Sequence, residues 1–191
     1  MMMKRVLLLV ISLVVMCNIV FAQGEKMKLT VDLQNAILTG RVEVKGDDWQ
    51  REIMIGEDKK GVVEISLERG EYVQIQIGYA ISQLYLEPGK DITLVLVADK
   101  DGAFPFLKNC FDYQGDDENV KINKYLNEND LVFIKPIDFT LGESEFLNKL
   151  VKLEKENNYL IKKQKFSKEF EKTELLRVKY LLYTPLVNYP V

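Results

Sequence analysis

The chain has 191 residues, with 26 Lys and Arg against 29 Asp and Glu, two cysteines and no histidine. The lack of histidine excludes Ser-His-Asp triads, Cys-His dyads and histidine-ligated zinc or haem within this polypeptide. The acidic balance provides no basic face for a phosphate backbone, which argues against nucleic acid as a partner.

Residues 1–22 have the order that a signal peptidase requires: Lys4 and Arg5, an apolar run from Val6 to Met16, then Val20-Phe21-Ala22 before Gln23. Cleavage after Ala22 and export to the periplasm or beyond are expected. The apolar run stops at Cys17-Asn18, short of the ~18 residues of a spanning helix, so a permanent anchor is not expected. Cys17 follows Val14-Val15-Met16 rather than the small residues that precede an acylated cysteine. Cleavage removes two basic residues and leaves a net acidic chain with Cys110 as its one cysteine. That excludes an intramolecular disulfide and a Cys-x-x-Cys pair, although an exported compartment permits disulfides.

From about Met27 to Tyr113 the pattern is one of short strands and turns, predicting an antiparallel, sandwich-like β domain over residues 23–115. Ala36 to Val44 and Gln50 to Ile55 read as two strands separated by Gly46-Asp47-Asp48. Val63, Ile65 and Leu67 alternate with polar residues, as do Val73, Ile75 and Ile77, so each strand has one buried face. Arg69-Gly70-Glu71 lies between them, and a tight hairpin is the simplest connection. Leu84-Tyr85-Leu86 and the strand Ile92 to Val97 flank Glu87-Pro88-Gly89-Lys90, a type II turn signal with Pro and Gly at its two centres. Ile92 to Val97 is apolar on both faces, which predicts a central position.

After Gly115 the period becomes helical, and residues 116–191 are predicted to form a helical segment, giving an α+β chain. Asp116, Asp117 and Glu118 suit a helix N-terminus, and Val120, Ile122, Tyr125 and Leu126 follow at helical spacing. Thr140-x-x-Glu143 has the form of a capping box before Phe146, Leu147, Leu150, Val151 and Leu153, which are predicted to share one apolar stripe. Another helix is predicted from Ser167, carrying Phe170, Leu175, Leu176, Val178, Leu181 and Leu182 and stopped by Pro185. Lys and Arg are enriched in this helical part and acids in the β part, the pattern of a solvated lysine-rich face.

Few residues invite a chemical reading. Asp99-Lys100-Asp101-Gly102 resembles the start of a calcium loop, but the twelfth position is Cys110 instead of an acid, so a polar turn is expected. Asp116-Asp117-Glu118 is explained by a helix start. Cys110 sits beside Phe111 with no basic neighbour to activate it. Trp49, Tyr72, Tyr79, Tyr85, Phe104, Phe106, Phe111 and Tyr113 are expected mostly as core or cross-strand pairs, or else as a stacking platform for a sugar or peptide. No catalytic residue, cofactor site or metal site is assigned from these residues.

Leu84-Tyr85-Leu86-Glu87-Pro88-Gly89, the β-rich stretch to Tyr113-Gln114-Gly115, and Asn123-Lys124-Tyr125-Leu126 occur in an order that resembles the N-terminal region of TlpA-type, thioredoxin-like thiol:disulfide interchange proteins of the Bacteroidetes cell envelope. The resemblance runs from about Lys28 to the C-terminus. Lys90 departs from it, standing where the family tends to have an acid, with Asp91 one position later. The resemblance implies a non-catalytic interaction or structural module. The Cys-x-x-Cys thioredoxin domain that follows in the family is absent here, so the chain reads as stopping inside a helical connector and no redox residue carries over. Leu181, Leu182, Tyr183, Leu186 and Tyr189 are then expected to be short of cover. The alternative is an exported β module that binds a glycan or peptide. An enzyme working through paired carboxylates in one cleft is a third reading.

Overall fold

Met27, Leu29, Val31 and Leu33 alternate with Lys28, Thr30 and Asp32, so one face of this segment buries apolar side chains and the other remains polar. The result is β1 (Glu25–Gln34), a central strand of the first sheet. The structure, a computed structural model, describes residues 24–36, 40–78, 80–98, 111–129, 141–184 and 186. The other strands are β2 (Arg41–Lys45), β3 (Gln50–Met54), β4 (Lys60–Leu67), β5 (Glu71–Ile77), β6 (Ala80–Leu86), β7 (Ile92–Val97) and β8 (Phe111–Gly115). Helices α1 (Asp117–Asn129), α2 (Glu143–Gln164) and α3 (Lys168–Tyr183) follow, so the chain is α+β with strands first. It divides into two compact units, Met1–Asn119 and Val120–Val191.

The first unit holds two four-stranded sheets, ordered β4-β1-β7-β8 and β3-β2-β5-β6. In the first, Leu29 lies opposite Val63 on β4 and Ile92 on β7, and Leu94 lies opposite both Val31 and Tyr113. The buried row therefore crosses the sheet in register. Full burial of a side chain such as Leu29 or Leu94 contributes about 1.5–3 kcal/mol before entropy is counted. As its apolar composition predicts, β7 is an interior strand, but it pairs with β1 in parallel, a departure from the expected wholly antiparallel arrangement. The long excursion from β1 through the second sheet allows it, because parallel neighbours need a long connection.

The expected hairpin at Arg69-Gly70-Glu71 does not form. β4 pairs with β1, whereas β5 pairs with β2 and β6, so residues 68–70 carry the chain from one sheet to the other. A period of two specifies which face of a strand is buried and says nothing of its partner, and both strands here bury that face in the same domain. Gly70 is needed at the crossing, since a Cβ there would lie 2.2 Å from the Tyr85 hydroxyl. Tyr85 is itself fully buried, edge-on to Tyr72 opposite it on β5, with ring centroids 5.0 Å apart.

The return crossing is the expected Pro-Gly turn. Gly89 has φ +68°, and the Lys90 amide donates to the Glu87 carbonyl at 3.3 Å. Around it the chain is tied down by polar contacts. Lys90 pairs with the buried Glu87 at 2.6 Å and approaches Asp116 at 3.9 Å, the Asp91 carboxylate accepts from the Lys28 amide, and the Asn119 side chain donates to the Lys90 carbonyl. Asp116 caps α1, accepting from the amides of Glu118 and Asn119 at 3.1 Å each.

In the second unit the expected stripe on α2 is divided. Phe146 and Leu150 are buried with Asn157 and Ile161, while Leu147 and Val151 are 39% and 42% exposed. Four-residue steps hold one line on a helix, and Leu147 and Val151 sit about 100° round from it. The helix starts from Gly142, which makes no side-chain cap bond, and Thr140 of the expected capping box lies outside the described residues. The helix expected from Ser167 begins there, and the Ser167 side chain caps α3, accepting from the Phe170 amide at 3.3 Å. The buried line on α3 is Phe170, Glu174, Val178 and Leu182, and Leu176 and Leu181 are exposed, contrary to the apolar face drawn from sequence. Glu174 is held by a two-pronged pair with Arg177 at 2.7 and 2.8 Å. Tyr125, Phe166 and Phe170 form an edge-to-face cluster with centroids 4.8–6.4 Å apart. Burial and the nearby Glu174 carboxylate push the Tyr125 phenol up. Of the residues expected to be short of cover, Leu181 and Leu186 are exposed, Leu182 is buried, and Tyr183 donates to Glu154 at 2.7 Å. Pro185 and Tyr189 lie outside the described residues.

Candidate functional site

The β2–β3 turn is closed by the Gly46 amide donating to the Trp49 carbonyl at 2.9 Å, which projects Asp47, Asp48 and Trp49 beyond the strands. The β4-to-β5 crossing runs beside it, bringing Glu68, Arg69 and Glu71 to the same end of the domain. Between them, with Ser66 and Leu67 completing the wall, lies a cleft of about 550 Å³. Ligand clefts commonly fall between about 300 and 1,000 Å³.

Its fixed element is a hydrogen bond from the Trp49 indole N–H to the Glu71 carboxylate. Gly46 lies directly below, where an added Cβ would fall 2.3 Å from the indole nitrogen and 2.5 Å from the carboxylate oxygen. Burial raises the Glu71 carboxyl above its ordinary value; the Trp49 bond and Arg69 oppose that, while the negative charges of Asp47 and Asp48 reinforce it. Arg69 reaches Asp47 only at 3.9 Å, with both side chains more than two-thirds exposed. A pair of that kind contributes little, about 0–1 kcal/mol, and leaves both groups available.

The structure distributes the aromatic residues singled out from sequence. Tyr72 and Tyr85 form a cross-strand pair, and Phe111 and Tyr113 lie 6.1 Å apart on one face of β8. Burial raises the Tyr113 phenol. Trp49, half-buried, is the one that faces the cleft; Tyr79, Phe104 and Phe106 lie outside the described residues, as do Asp99 to Gly102 and Cys110. Asp116 to Glu118 begin α1, and Asp116 is occupied as its cap. Among the described residues, no group of three or more Cys, Asp or Glu is arranged to hold a metal ion. Sequence reasoning passed over the Trp49–Glu71 pair because Trp49 lies in the β2–β3 turn and Glu71 at the start of β5, and only the pairing of β5 with β2 makes them neighbours.

No family model matches this chain, and no curated protein matches it. Among solved structures it is similar to a crystal structure described as that of a "putative cell adhesion protein" from Bacteroides ovatus ATCC 8483, at 10% identity and a TM-score of 0.29. That match covers 50% of this chain, and the chain spans 44% of the other protein's length. A likeness of this degree carries no argument about activity. Among the described residues no helix is long and apolar enough to cross a membrane.

Proposed function

We propose that this chain is a non-catalytic interaction and structural module of a cell-envelope, thioredoxin-like disulfide reductase, without redox activity of its own. The observation that carries this reading is the fate of the motif residues. Leu84, Tyr85 and Leu86 are fully buried, Glu87 is paired with Lys90, and Gly89 supplies the positive φ of the crossing. Gly115 has φ +130° and approaches the backbone of Asp91 so closely that a Cβ would lie 2.5 Å from its carbonyl oxygen. These motifs hold two sheets and a helix start together, which supports a structural role for them. The test has two arms. The pure chain should give no turnover in insulin-reduction and RNase-reoxidation assays, and a TlpA-type thioredoxin domain added in trans should bind it in calorimetry. Turnover by the pure chain, or no association with that domain, overturns the reading.

The Trp49 cleft favours a second reading, an exported β module that binds a glycan or a peptide. A ligand that binds only the native state raises the melting temperature. A glycan array with a thermal-shift screen of glycans and peptides tests it, and silence across both removes it.

A further inference from the structure

We propose that the Trp49 cleft is a recognition site for a cationic side chain, arginine or lysine, of a partner peptide. The inference deepens the second reading above, by naming the ligand chemistry.

Among the described residues, four carboxylates, Asp47, Asp48, Glu68 and Glu71, line the cleft against one cation, Arg69. They come from two segments that the crossing between sheets brings together, so the field is focused on one concave space instead of spread along a strand. The single cation does not neutralise it, because Arg69 engages Asp47 weakly at 3.9 Å and points into solvent. Trp49 adds an aromatic surface to the same wall, and a guanidinium or ammonium over an indole is attracted by the ring as well as by nearby carboxylates. Its orientation is set in advance by the bond to Glu71 and by the close floor at Gly46, which lowers the cost of ordering the site on binding. The Glu71 carboxyl is raised first by burial and then by the negative charges of Asp47 and Asp48, and a cation in the cleft relieves that repulsion.

A neutral sugar would use the same indole by stacking, and it differs from a cation in two measurable ways. Stacking is nearly indifferent to salt, whereas attraction between exposed charges weakens as the Debye length falls from about 30 Å at 0.01 M to about 8 Å at physiological ionic strength. Removing Arg69 frees Asp47 and deletes a repelling charge for a cationic ligand, and gives a sugar no such advantage.

Trp49 is the only tryptophan in the chain, so its fluorescence reports on this cleft alone. The full chain is titrated with acetyl-tri-arginine amide, acetyl-tri-glutamate amide and cellotriose. A saturable change in emission is expected with tri-arginine only, and its affinity should fall as salt is raised. The D47N/D48N variant alters two exposed side chains and should bind about tenfold more weakly, while R69A should bind more tightly. Three results overturn the proposal: no saturable response to tri-arginine, a salt-indifferent response to cellotriose, or weaker binding by R69A. None of these outcomes depends on redox turnover or on association with a thioredoxin domain, so failure here is distinguishable from failure of the module reading, and a cellotriose response would retain the cleft as a saccharide site.

Discussion

Replacing Arg177 by methionine isolates the one fully buried charge among the described residues of the helical unit. Glu174 has no exposed side-chain surface, and Arg177 holds both of its carboxylate oxygens, at 2.7 and 2.8 Å, while remaining 16% exposed. Removing one partner of a buried pair costs about 3–5 kcal/mol, because the other charge loses its compensation and cannot reach water. The residual exposure of Arg177 lets water approach the edge of the pair, which places R177M near the lower end, about 3 kcal/mol. Removing the acid is cheaper: in E174L the arginine can extend its head into solvent along its own stem, and a loss of about 1 kcal/mol is expected. The double variant E174L/R177M leaves no buried charge and should recover most of the R177M loss, because apolar replacement of a buried pair is often neutral or stabilising. Urea and thermal melts of the three variants, followed by circular dichroism at 222 nm where the helices dominate, give the cycle directly. For a unit of this size each kcal/mol moves the midpoint by about 4–8 °C, so R177M should melt more than about 10 °C below the parent. Equal destabilisation of R177M and the double variant would refute the reasoning, by showing that the arginine acts through its packed stem and not its charge.

Gly89→Ala forces a side chain into positive φ with its Cβ 2.5 Å from the Glu25 carboxylate, and should cost about 1–2 kcal/mol in urea unfolding, where an unchanged midpoint would discount the turn. Asp116→Ala removes the acceptor for two helix amides and should cost about 1 kcal/mol, while Asp116→Asn should retain most of the cap, the comparison being read from the same melts. Tyr113 and Tyr125 have phenols raised by burial, so above pH 10 the unfolded state loses their protons first and the folded state is destabilised by up to about 1.4 kcal/mol per pH unit for each. Absorbance at 295 nm should then show these two ionising only with unfolding, and Tyr113→Phe should flatten the alkaline fall in stability; early ionisation in the folded chain would contradict the burial argument.

Local signals in this chain carry local information, and the structure honours them where nothing distant competes. The Pro88-Gly89 turn, the helix starts at Asp116 and Ser167 and the inner position of β7 all rest on local residue preference or on the composition of one strand, and each is legible in the sequence. Alternation in β4 and β5 likewise announces a buried face on each. What alternation cannot encode is partnership, because the same period suits any neighbour, so only the assembled core decides that β4 joins β1, that β5 joins β2 and β6, and that β7 lies parallel to β1. The helices show the same division. Their existence follows from period and capping, but which of Phe146, Leu147, Leu150 and Val151 is covered, and that the acid Glu174 stands in the buried line, depends on what packs against them. The cleft belongs wholly to the tertiary level. Trp49, in the β2–β3 turn, and Glu71, at the start of β5, are 22 residues apart, and they become an indole–carboxylate pair only because β5 pairs with β2.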